Sequence, residues 1–90
     1  MIVIAPYPKG FKLEQTALSY YYYNTGSNIP AIVQRKHKLA YTHYSNVKRW
    51  CKDNLSGPFE ITLDDILHDG VRVRLSTSDD LAFFQLRWLV

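Results

Sequence analysis

Tyr44, Val47, Trp50, Cys51 and Leu55 recur at spacings of three and four residues, and Gly57-Pro58 ends the run. No other feature narrows the choice of fold as much. A stripe of this kind is one apolar face of a 3.6-residue period, and it predicts a helix over 43–55. Thr42 or Ser45 can cap its start, and a glycine followed by a proline stops its end. Lys48, Arg49 and Lys52 fall on the opposite face. The helix is therefore amphipathic and needs a surface to lie on.

That surface is written just downstream. Phe59-Glu60-Ile61-Thr62-Leu63 and Val71-Arg72-Val73-Arg74-Leu75 each alternate strictly, the mark of half-buried strands. The stretch between them, Asp64 to Gly70, is too long for a tight turn and too short for a crossover helix, so the pair is expected to be antiparallel. After Ser76-Thr77, Ser78 is a good N-cap, and Asp79 and Asp80 sit where the helix dipole favours negative charge. A final helix near 79–87 follows, with Leu81, Phe84 and Trp88 on one stripe.

The first forty residues are read less directly. Ile2-Val3-Ile4 forms a short strand broken by Pro6. Asn24-Thr25-Gly26-Ser27-Asn28 is a turn signal, and Ala31, Val33, Leu39 and Tyr41 share strand parity. These predict a hairpin with strands near 12–23 and 30–41. A helix over Leu13 to Tyr23 is the rival, because Leu13, Ala17, Leu18 and Tyr21 also fit a helical face. The expected fold is α+β in a single domain over 1–90. It is a small antiparallel sheet of about four or five strands packed by two helices, near 43–55 and 79–87.

Ninety residues with a hydrophobic fraction of 47% suffice for a core without staples. A chain of this size buries roughly 60–65% of its unfolded surface. The lone cysteine, Cys51, forbids an internal disulfide and a cysteine-based zinc site, and it suits a reducing compartment. Met1 to Ala5 is too short an apolar run for a signal peptide, and no run reaches the ~20 residues that cross a bilayer. The expectation is a soluble cytoplasmic protein without membrane association. The net charge of +3 conceals a polarity. Residues 1–52 carry eight Lys/Arg against one acid, and residues 53–90 carry three against seven. Charge divided in this way bears on partners more than on fold.

Catalytic signals are sparse. His37, His43 and His68 are candidate bases and Cys51 a candidate nucleophile, but Cys51 lies on the apolar stripe beside Trp50, where free cysteines pack as inert core residues. No Gly-x-Ser-x-Gly elbow, phosphate loop or His-Glu-x-x-His helix occurs. Asp64, Asp65, His68 and Asp69 would share helical faces and could hold a divalent ion, which would make a metal-dependent enzyme of the chain. The simpler reading is a solvated acidic loop in which Asp64 caps a turn. No cofactor is expected.

Binding signals are richer. Arg35, Lys36, His37 and Lys38 form a cationic run, and in the expected hairpin Tyr20, Tyr21, Tyr22 and Tyr23 pair across from it. Rings beside cations are what single-stranded RNA or DNA uses, the bases stacking while cations follow the phosphates. Lys48, Arg49 and Lys52 would add a second positive strip. Arg72 and Arg74 share one strand face and could present two guanidiniums to phosphates or to an acidic partner, or pair across the strands with Glu60. The closing Leu81 to Val90 is apolar on nearly all sides. Some of Phe83, Leu86, Leu89 and Val90 stay exposed as a partner or homodimer surface, unless Leu89 and Val90 extend into a covered last strand.

Trp50-Cys51, Gly57, Asp79-Asp80, Phe84 and Leu86-Arg87-Trp88, set in a helix, strand, strand, helix order, resemble a pattern found in small tailed-phage proteins. The resemblance covers the last half of the chain. It implies a compact α+β accessory protein that acts by binding, often by inhibiting or redirecting a host factor or defence complex. The function expected from the sequence is that of a non-enzymatic interaction protein. It would bind a host protein or ribonucleoprotein complex through a basic, Tyr-rich face, with single-stranded nucleic acid as the alternative partner.

Overall fold

Val71, Val73 and Leu75 alternate with Arg72 and Arg74 along the strand that organises the molecule. In the computed structural model, which describes residues 1–13 and 31–89, this strand, β3 (Gly70–Leu75), is central. β1 (Ile2–Pro6) and β2 (Phe59–Glu60) flank it, both antiparallel, in the order β1-β3-β2. Directly opposed residues share a face in such a ladder. Val3 opposite Val73, Ala5 opposite Val71 and Phe59 opposite Leu75 therefore make the inner face. Ile2 and Glu60 opposite Arg74, with Ile4 opposite Arg72, make the outer one.

Both helices lie on the inner face. α1 (Ala31–Asn54) places Ala40, His43, Tyr44, Val47 and Cys51 in the interior, and α2 (Ser78–Trp88) contributes Phe84 with no exposed surface. Gly70 faces β1 so closely that a Cβ there would run into the carbonyl oxygen of Ala5. The loop before β3 is tied back to the N-terminal segment. The Tyr7 hydroxyl donates to the Leu67 carbonyl at 2.6 Å, and the Leu13 amide donates to the carbonyl of His68 at 2.7 Å.

The structure corrects several sequence expectations. The sheet has three strands among the described residues, fewer than the four or five expected. The stretch 30–41 was expected to be a strand, but residues from Ala31 onward open a helix that continues through His43. Residues 34–40 are nearly all strong helix formers. Ala40, Tyr44, Val47 and Cys51 extend the three-and-four spacing backwards, and this outweighs the chance parity of Ala31, Val33, Leu39 and Tyr41. Thr42 and Ser45 accordingly lie inside the helix and cap nothing. The proposed strand over 12–23 and the turn at 24–28 fall mostly outside the described residues.

β2 stops at Glu60 because Thr62 turns to cap the short 3-10 turn Leu63–Asp65. The Thr62 amide and hydroxyl donate to Asp65 Oδ2 at 2.8 and 3.2 Å. Thr77 caps α2 in place of Ser78, its Oγ1 accepting from the Asp80 amide at 3.1 Å. Asp80 turns inward, where its carboxylate accepts from the amides of Ser56 and Gly57 at 3.2 and 2.8 Å. This joins the end of α1 to the start of α2. Leu89 is the C-cap of α2 and does not enter a last strand.

Candidate binding surface

Arg72 and Arg74 do share the outer face of the sheet, but they are already engaged. Asp65, 1% exposed, accepts from Arg72 Nε at 2.9 Å and from an Arg74 terminal nitrogen at 3.1 and 3.3 Å. The Arg74–Glu60 pair expected from strand pairing is present at 3.9 Å, with Glu60 68% exposed. Burial alone would raise the Asp65 carboxyl. The hydrogen bonds from Thr62 and Arg72 and the charge of Arg74 outweigh it and hold the group below the ordinary carboxylate range. The sheet's outer face is thus neutralised, and its guanidiniums are pinned.

The same geometry bears on the Asp64, Asp65, His68 and Asp69 cluster. Asp65 is committed to two arginines and to the turn, and among the described residues no group of three His, Cys, Asp or Glu could hold a metal. Cys51 is buried, and its thiol is pushed up to about 12, chiefly by burial and then by the nearby Asp80 charge. The thiolate is the reactive form, so the folded protein is expected to resist a maleimide or disulfide reagent until denaturant opens the core. Rapid stoichiometric labelling without denaturant would contradict the buried position.

The other candidate cations lie on α1. Arg35, Lys38, Lys48, Arg49 and Lys52 are exposed, while Lys36 and His37 are half-buried. At 100° per residue, Arg35, Lys38, Arg49 and Lys52 fall within one side of the helix, opposite Ala40, Val47 and Cys51. The row from Arg35 to Lys52 is about 25 Å long at 1.5 Å per residue. Among the described residues none of these four has a carboxylate at ion-pair distance. Lys48 points elsewhere, with Nζ 3.3 Å from the Tyr44 hydroxyl and 5.6 Å from its ring centroid. The hairpin that was to set Tyr20, Tyr21, Tyr22 and Tyr23 against Arg35–Lys38 is replaced by helix on the cationic side, and the four tyrosines lie outside the described residues.

Beside this row the structure has a groove that the sequence did not signal. It encloses about 670 Å³ between Pro6-Tyr7-Pro8, one side of α1 (His43, Asn46, Arg49, Trp50, Asp53) and the end of α2 (Arg87, Trp88). That volume lies in the ~300–1,000 Å³ range of ligand-sized clefts. His43 forms part of the groove, edge-on to the Tyr7 and Trp88 rings at 5.3 and 5.5 Å. A carbonyl only accepts, so His43 Nε2 carries the proton in its 3.1 Å bond to the Ala5 oxygen. Burial, and to a lesser degree Arg87, pull the imidazole below its usual range against the opposing effect of that bond. Arg87 stacks on the Trp88 indole at 4.1 Å, and Trp50 packs on Phe83, Phe84 and Trp88. The groove escaped the sequence reading because its walls come from three distant segments. The one available hint was that both tryptophans carry a polar N–H on an otherwise apolar stripe.

The exterior of α2 is the third feature. Phe83, Leu86 and Leu89 are 46%, 70% and 46% exposed. No protein-family model, curated protein or solved structure matched the chain.

Proposed function

We propose that the chain is a non-enzymatic binding protein whose α1 exterior docks on an acidic surface of a host protein or ribonucleoprotein. The row Arg35, Lys38, Arg49 and Lys52, with no carboxylate at ion-pair distance among the described residues, carries the reading. Unpaired exposed cations steer an acidic partner to the surface. Arg49 belongs both to the row and to the groove beside it, where Trp50 and Asn46 offer a pocket for one anchoring side chain of the partner. Support also comes from the two groups best suited to covalent or acid–base chemistry, since Cys51 is sealed and His43 is spent on Ala5. The resemblance to small phage proteins favours a host factor or defence complex as the partner.

The test is capture from host lysate by the wild-type chain and by a Lys38→Glu/Arg49→Glu/Lys52→Glu variant. A protein retained by the first and lost by the second is the expected result. Equal retention would place the interface elsewhere. The same cationic row favours single-stranded nucleic acid as a second reading, which labelled RNA and DNA binding at low and moderate salt separates. Phosphate contacts weaken by orders of magnitude over that range, whereas an interface anchored in a pocket weakens far less.

A further inference from the structure

The exterior of α2 is unlike that of α1. Asp79, Phe83 and Arg87 stand four residues apart, so they form one ridge along the helix surface. Ala82 and Leu86 form the ridge beside it. All five residues are exposed. An apolar strip bounded by an acid at one end and a base at the other has a simple self-complement. Laid against its own copy, antiparallel about an axis through Phe83, it sets Asp79 opposite Arg87 of the second copy and Arg87 opposite the second copy's Asp79. This is the reciprocity that a twofold interface requires. In that register the two Phe83 rings meet at the axis, and the exposed Leu86 of each chain, one turn from Phe83, flanks them. Within one chain, Asp79 and Arg87 are about 12 Å apart along the helix and cannot pair. Among the described residues neither makes an ion pair.

We infer that α2 is a homodimer interface in which two copies pair antiparallel about Phe83, with reciprocal Asp79–Arg87 contacts at its ends. The inference does not rest on the α1 docking surface, with which it shares one residue, Arg87, in the wall of the groove. The occupant is a second copy, because the charge order along the helix matches its own reversal.

Sedimentation velocity across a concentration series tests it. The wild-type chain is expected to dimerise, and Leu86→Glu to sediment as a folded monomer at every concentration where the wild type is dimeric. Asp79→Arg or Arg87→Asp alone sets like charges together at both ends and is expected to weaken association about tenfold. The double reversal D79R/R87D restores opposite charges and is expected to recover most of that loss. All three substituted residues are exposed, so far-ultraviolet circular dichroism should stay unchanged. A wild-type chain that remains monomeric throughout overturns the inference. So do single reversals without effect, or a double reversal no better than the singles.

Discussion

Replacing Asp65 with alanine should lower stability by about 3–5 kcal/mol, the usual result of removing one partner from a buried charge cluster. Three losses coincide at this position. The Thr62 amide and hydroxyl lose their acceptor, Arg72 and Arg74 lose the carboxylate that holds both, and the turn into β3 loses its cap. The effect approaches the whole stability of an ordinary small domain, ~5–15 kcal/mol. Urea unfolding reads it directly. Glu60→Ala is the contrasting variant. Its carboxylate is exposed and 3.9 Å from Arg74, and loss of such a pair is worth at most about 1 kcal/mol. Equal effects from the two substitutions would contradict the role given to Asp65. The pH dependence has a definite sign. The folded carboxyl lies below its ordinary value, so its contribution is complete above about pH 4, near the unfolded value. It is lost as pH falls through the lower folded value, and the gap between wild type and Asp65→Asn should close there.

Phe84→Ala is expected to cost a similar amount, about 3–5 kcal/mol, for a different reason. Phe84 has no exposed surface, sits beside Trp50 and Trp88, and fills the space between α2 and the sheet. Alanine leaves a cavity that two helices and a strand cannot close together. Phe84→Leu keeps most of the volume and should cost less than half as much. A Phe84→Ala midpoint displaced by under about 1 kcal/mol would mean that α2 does not pack on the sheet through this residue.

Much of the fold was legible because it is locally encoded. Val71 to Leu75 announces a strand with one buried face, and the stripe from Tyr44 to Leu55 announces a helix with one. Each pattern repeats within a few residues. The start of α1 was not legible in this way. Gln34 to Lys38 carries charge but no apolar period, so the only nearby pattern was an accidental parity of four residues. Their helical state rests on helix propensity and on Ala40 reaching the same interior as Val47. The caps were nearly read, with Ser78 expected where Thr77 serves and Asp64 where Asp65 serves. Adjacent residues of one chemical type cannot be told apart without the backbone that aims them.

The site was less legible still, because its important contacts join residues far apart in sequence. The two arginines of β3 looked like free recognition groups, and nothing local says that Asp65 folds back to hold them. His43 looked like a free base until the Ala5 carbonyl was beside it. The cations on α1 were visible as residues, but whether they stood on a hairpin or in a row depended on the missing start of the helix.

That row carries the functional account, and site-specific photo-cross-linking tests it most directly. Thr42 is exposed between Lys38 and Arg49, and Ile2 is exposed on the opposite side of the molecule, on the sheet's outer face. With a photoreactive residue placed at either position and the chain exposed to host lysate, the account predicts a discrete adduct with an acidic protein from Thr42 and none from Ile2. The reverse outcome, an adduct from Ile2 alone, would contradict it.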